Sequence, residues 1–334
     1  MRISILSFSA KGEALGGKVA TLLQEDTTIT RCGDGMLSAW TLEQFRSCDA
    51  LIFIGSCGIA VRAIAPHIQS KTTDPAALVI DELGTYCIPL LSGHLGGANA
   101  LASRLANALS AIAVITTATD INHVFAVDAW AKSQGLIIEN PQRIKWISSR
   151  LLAGDTVKLK SSIPIHGELP FGICIGDDDY DILISHRTRG RQEALRLFPP
   201  AVVLGIGCKK GVDAQAIEKA FELMQGRANC HPLAVCKVCS IDLKADEPGI
   251  LEFCKQHKLP FETFSTAQLN GLDGSFSSST FVKSVTGVDN VCERSAVCGC
   301  GEGGRLIAQK NAGNGITMAL AMRPCFISFR KEDV

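Results

Sequence analysis

Apolar, β-branched runs that end on glycine or small polar residues and lead into helix-periodic sequence recur along this chain. That alternation limits it to a small set of folds. In the first third, "RISILSF", "ALIFIG", "ALVIDE" and "AIAVITT" read as strands, with "EALGGKVATLL" and "IAVRAIAPHI" as helices. Strands that are apolar on both faces and separated by helices belong in parallel sheets covered on both sides. Ligands of such sheets sit beyond the carboxyl ends of the strands. "GSCG", "DELG", "SGHLGG" and "TTATD" are all expected at that edge.

With 334 residues the chain exceeds a typical single core and should divide. From 122 to 200 the pattern is less regular: helical "VFAVDAWAKSQG" and "PQRIKWISSRLLAG" precede short strands "TVKLK", "GICIG" and "ILISHR". The pair Pro199-Pro200 marks a boundary. "AVVLGIGCKKG" then restarts the alternation, with Asp213 as the cap of helical "DAQAIEKAFELMQ" and "ITMALAMR" as a last buried strand. The fold class is α/β: two α/β units with parallel or mixed sheets joined by a smaller middle segment. The expected divisions are 1–121, 122–200 and 201–334.

Thirty-three basic and thirty-three acidic side chains cancel. No global field favours nucleic acid or an anionic membrane, so an anionic ligand must be held locally. No apolar run is long enough to span a membrane, and the N-terminal segment lacks a signal-peptide pattern. The expected setting is the cytoplasm. Fourteen cysteines in a large apolar chain read as reduced thiols, many of them small core residues.

The glycine turns carry the candidate chemistry. In "GSCGIAVRAIAPHI", Gly55, Ser56 and Gly58 end a strand and open a helix whose first amides can bind an anion, with Arg62 about a turn further on. The turn reads equally as a ligand-free strand-to-helix connection. It matches neither a Walker loop nor a dinucleotide fingerprint. In "SGHLGGAN", Gly93, Gly96 and Gly97 permit close approach to a ligand, His94 titrates near neutrality, and Asn99 adds an amide at a helix start. A loop histidine bonded to backbone is the alternative.

Asp81 and Glu82 lie at one strand end and Thr116, Thr117, Thr119 and Asp120 at another; each reads equally as a turn or helix cap. Lys209 and Lys210 in "GIGCKKG" can hold carboxylates as point charges, or form a solvated edge. Cys236 and Cys239 form a CxxC, but inside a strand their sulfurs point to opposite faces. A zinc or redox site is therefore disfavoured, and no metal ligands are assigned.

Taken in order, "GSCGIAVRAIAPHI", "VIDELGTYCIPLLSGHLGGANALASRLA" and "VITTATD" resemble the N-terminal domain of the cobalt-precorrin-5A hydrolase (CbiG) family of anaerobic cobalamin synthesis. "LGIGCKKG", "CSIDLKADEPG" and "FVKSVTGVDNVCERSA" resemble its C-terminal domain. The resemblance covers nearly the whole chain and is weakest in the middle segment.

It implies an enzyme that opens the δ-lactone of a ring-contracted cobalt macrocycle and releases acetaldehyde. No cofactor of the protein's own is implied, because the cobalt arrives with the substrate. The expected partners are that tetrapyrrole and neighbouring enzymes of the pathway. On this reading His94 is the base, as a neutral imidazole, with Arg62 and Glu82 as further catalytic groups. Gly55, Ser56, Gly58, Gly93, Gly96, Gly97, Asn99, Thr116, Thr117, Asp120, Lys209 and Lys210 contact substrate. The competing reading is a tetrapyrrole-binding or delivery protein without turnover.

Overall fold

A parallel start and an antiparallel finish define the first sheet. Its elements are β1 (Arg2–Ser7), α1 (Ala10–Leu23), β2 (Asp26–Arg31), α2 (Met36–Ser47), β3 (Ala50–Ile54), α3 (Cys57–Ile64), β4 (Ala76–Ile80), β5 (Tyr86–Leu91), α4 (Ala98–Leu109) and β6 (Ile112–Ala113). The short helices α5 (Ala118–Ile121) and α6 (Val127–Ser133) follow. The strand order is β2-β1-β3-β4-β5-β6. This computed structural model describes residues 1–70 and 73–330.

Alternation along buried strands gives this sheet two covered faces. Ile3, Ile5, Ile52, Ile54, Leu78 and Ile80 pack with α1 and α4. Leu6, Leu51, Phe53, Ala77 and Val79 pack with α2 and α3. β1 to β4 run parallel, as the apolar runs predict.

β5 departs from that pattern: it pairs antiparallel with β4, Ile80 opposite Cys87 and Ala77 opposite Leu91. The connection 81–85 is far shorter than the crossover of about a dozen residues that a parallel neighbour requires. Asp81 folds this turn by accepting hydrogen bonds from the amides of Tyr86 (2.6 Å) and Leu83 (3.2 Å). "AIAVITT" forms only the two-residue β6, parallel to β5.

The remaining elements are β7 (Ile137–Ile138), α7 (Gln142–Leu152), β8 (Val157–Ser161), β9 (Ile165–His166), β10 (Ile173–Ile175), β11 (Ile182–Ile184), β12 (Leu195–Phe198), β13 (Val202–Cys208), α8 (Ala214–Ala228), β14 (Val235–Ile241), α9 (Pro248–His257), β15 (Phe261–Phe264), α10 (Thr266–Asn270), α11 (Thr280–Thr286), α12 (Val291–Cys300), β16 (Arg305–Gly313), β17 (Ile316–Met322) and β18 (Ile327–Ser328). They build a sheet β10-β8-β11-β12-β7, a sheet β15-β14-β13-β17-β16 and the pair β18-β9. Asp213 caps α8 as expected, accepting from the amide of Ala216 at 2.7 Å. α12 lies directly on β13 and β14, burying Val203, Cys239 and Val291.

The α/β class read from the sequence holds. The chain divides into two compact units, Met1–Lys132 with Ile144–Asp155, and Ser133–Arg143 with Thr156–Val334. The expected middle segment, 122–200, is shared between them.

Candidate active site

Because β5 reverses direction, its end delivers the loop 92–97 to the amino edge of β4. There the Ser92 hydroxyl donates to the carbonyl of Asp74 at 3.0 Å, just before that strand. "TTATD" follows β6, which runs parallel to β5, and so arrives at the same edge. "GSCG" and "DELG" follow β3 and β4 and lie at the other edge. The shared carboxyl-end crevice expected from the sequence is thus corrected. Five residues of β4, at about 3.3 Å each, put roughly 16 Å between the two edges.

At the amino edge, His94 stands between two carboxylates. Its Nε2 is 2.9 Å from Asp120 Oδ2, and its Nδ1 is 3.2 Å from Asp128 Oδ1. The Thr119 hydroxyl lies 3.3 Å from Nε2. Asn99 Nδ2 donates to Asp120 Oδ2 at 2.8 Å and to Thr117 Oγ1 at 3.0 Å. Side-chain exposure grades across the ring, from 10% for Asp128 through 15% for His94 to 34% for Asp120. One carboxylate is therefore interior and the other faces water.

The glycines serve the loop itself. A Cβ on Gly96 would overlap the side chain and carbonyl of Ser92, and one on Gly93 would stand 2.8 Å from Asn99 Oδ1. Gly97 caps α4 at φ 89°, a left-handed conformation that glycine adopts cheaply. Gly93 and Gly96 are thus filled by protein, which corrects their reading as open approaches for a ligand. Lys132 crosses the loop and donates to the Leu95 carbonyl at 2.6 Å.

The electrostatics overturn one expectation. The Asp128 carboxylate beside the ring, with Asp120 on its other side, outweighs burial and raises the His94 pKa to about 9. That direction favours the imidazolium at neutral pH over the neutral ring expected from the sequence. Since the folded pKa lies above the ordinary 6.5, the pair stabilises the fold fully below about pH 6.5 and loses that contribution as pH rises through about 9. Denaturant midpoints measured from pH 6 to 10 should fall on the alkaline side more steeply for the parent than for His94→Gln. Equal slopes would show that the ring gains nothing from its carboxylates.

Gly55, Ser56, Gly58, Arg62 and Glu82 lie at the opposite edge. Ser9, which caps α1 through the amide of Gly12 at 3.1 Å, hydrogen bonds to Glu82 there. Arg62 is exposed in the last turn of α3, and its guanidinium reaches back to 3.7 Å from where a Gly58 Cβ would stand. Among the described residues, neither Arg62 nor Glu82 makes a hydrogen bond or ion pair with His94 or its partners. Lys209 and Lys210 are exposed after β13 in the second unit, where Glu247 ties the turn by accepting from the Gly211 amide (2.6 Å) and pairing with Lys244 (2.8 Å). Thr116 is exposed next to Thr117.

Asp128, which the sequence reading passed over, and Thr119, which it named at a strand end without counting it among the substrate contacts, complete the site. Asp128 sits in the first turn of α6, where an acid is ordinary helix chemistry. On β14, Cys236 is half-buried and Cys239 fully buried, and among the described residues no group of three or more His, Cys, Asp or Glu could hold a metal ion.

The cobalamin synthesis G N-terminal family matches residues 39–120, and the cobalamin synthesis G C-terminus family matches 202–321. The cobalt-precorrin-5A hydrolase of Salmonella typhimurium is 34% identical over 273 residues, 77% of this chain and 78% of that protein. The chain belongs to the cobalt-precorrin-5A hydrolase family. A second member, from Priestia megaterium, is 31% identical over 84% of this chain and 80% of its own length. Protein CobE of Sinorhizobium sp. is 31% identical over 36% of this chain and 79% of its own. Among solved structures, a cobalamin biosynthesis protein G homolog from Sulfolobus solfataricus covers 96% of this chain and 97% of its own, with 24% identity and a TM-score of 0.43. Of the site residues, His94, Asn99, Thr117, Thr119 and Asp120 fall inside the N-terminal family match and Asp128 just beyond it.

Proposed function

We propose that this chain is a cobalt-precorrin-5A hydrolase that opens the δ-lactone of the ring-contracted macrocycle and releases acetaldehyde, with His94 at the centre of its chemistry. The observation that carries the reading is the His94 ring held in a family-matched loop between an interior and a water-facing carboxylate. Lactone hydrolysis builds negative charge first on the carbonyl oxygen and then on the leaving ring oxygen. A fixed imidazolium stabilises both and can protonate the second.

In the following carbon–carbon cleavage, the macrocycle and its cobalt accept the electron pair. The protein is proposed to need no cofactor of its own, since the metal belongs to the substrate. Lys209 and Lys210 are proposed to attract peripheral carboxylates, while Arg62 and Glu82 are assigned no step. No helix among the described residues is long and apolar enough to cross a membrane.

The test is anaerobic incubation of the purified protein with cobalt-precorrin-5A, following acetaldehyde and the mass of the macrocycle. Stoichiometric acetaldehyde with repeated turnover is the expected result. Binding of the macrocycle without product would mark a carrier instead.

A further inference from the structure

We propose that Asp120 is the base that activates the hydrolytic water, working with His94 as its acid, and that Asp128 is a positioning residue that keeps the ring charged. This rests on the hydrolase reading above. The two carboxylates contact opposite nitrogens of one ring, but their surroundings fit them for different tasks.

Asp120 is the more exposed of the two, and its Oδ2 is pinned by Asn99 and by His94 Nε2. Its Oδ1 makes no hydrogen bond among the described residues and is left for a water molecule. Asn99 donates one amide proton to Asp120 and the other to Thr117, so its orientation is fixed.

Asp128 is buried on α6, and its Oδ1 makes no hydrogen bond of good geometry. The ring Nδ1 at 3.2 Å is the charge it faces. A buried carboxylate in that position favours the protonated ring without touching a substrate. The groups packed around His94 are Asp120 and Thr119 from α5, Asp128 from α6 and, across the loop backbone, Lys132, whose ammonium is occupied by the Leu95 carbonyl.

In the proposed step, Asp120 Oδ1 takes a proton from water as the water oxygen bonds to the lactone carbonyl carbon. The bond from that carbon to the ring oxygen then breaks, its electron pair staying on the leaving oxygen, which receives the Nε2 proton of His94. Asp120 Oδ1 then releases its proton to solvent and His94 Nε2 regains one, while the 2.9 Å contact between Nε2 and Oδ2 holds the pair in place. The pair ends as it began, one water has been consumed, and the new carboxylic acid ionises into solvent.

The experiment compares the full-length parent with Asp120→Asn and Asp128→Asn in two readouts, steady-state lactone opening across pH and NMR titration of the His94 ring without substrate. Asp120→Asn should lower kcat by about a hundredfold or more at every pH, the usual scale for a positioned base, with KM little changed. Asp128→Asn should keep measurable turnover, move the alkaline fall in activity to lower pH and lower the ring pKa by NMR.

Asp120→Asn within about threefold of the parent rate, a change too small for a lost base, would remove Asp120 as the base. An Asp128→Asn variant with unmoved pH limb and ring pKa would remove the positioning role. A parent that turns nothing over would sink the hydrolase reading, and the base assignment with it. The substrate-free titration would still report whether Asp128 governs the ring.

Discussion

Replacing His94 by alanine should cut acetaldehyde formation by about a hundredfold or more while leaving substantial affinity for the macrocycle. The loss is expected to be large because the variant removes both the positive charge facing the developing oxyanion and the proton for the leaving oxygen. It also leaves Asp128 buried without the charge it faces. His94→Gln separates these effects: an amide preserves hydrogen bonding but carries neither charge nor a titrating proton. Lactone-closed macrocycle should persist with either variant. If the glutamine variant works at nearly the parent rate, the ring merely positions substrate. If lactone-opened material accumulates, the block lies at carbon–carbon cleavage and the acid role in hydrolysis is wrong.

Gly205→Ala should destabilise the second unit by about 3 kcal/mol or more, at the upper end of what overpacking costs. Gly205 lies in mid-strand on β13 where α12 crosses, and an added Cβ would overlap the Cys292 carbonyl and stand 2.8 Å from the Ala296 amide. Both obstacles are helix backbone and cannot rotate aside. α12 would have to lift from Val203, Cys239 and Ile241, opening the cluster it seals. Denaturant unfolding should show a lower midpoint for a transition belonging to this unit. A midpoint matching the parent would mean that the helix can shift at little cost.

Local periodicity made the layered α/β plan legible, because buried strands and amphipathic helices are written into neighbouring residues. Asp213 as a helix cap was readable for the same reason, whereas the opposed sulfurs expected of Cys236 and Cys239 are corrected: the register shifts at Cys236, and both side chains pack against one cluster. Strand direction is not carried by the apolar pattern of Tyr86–Leu91 itself. It was carried by the shortness of 81–85, and taking β5 as one more parallel strand placed His94 at the wrong edge. Asp128 was beyond reach on other grounds. It meets His94 across 34 positions of chain only because α6 folds back over the loop, and pairings of that kind leave no trace in one sequence. The charge state of His94 followed from Asp128 and could not be read without it.

The reversal of β5 also bears on which positions of this chain can be exchanged singly. It assigns "SGHLGG" and "TTATD" to one rim of the sheet and the "GSCG" and "DELG" turns to the other, with a core of isoleucine, leucine and alanine between them. Among the described residues, no hydrogen bond joins Glu82 or Arg62 to the His94 cluster. Drift at Ser92, Gly93, Gly96 or Asn99 is felt at once by the ring, because each of these fills space that another occupies. A side chain added at Gly93 or Gly96 therefore has to be matched by a change at Asn99 or Ser92, so the loop that holds the ring yields only to coupled exchanges.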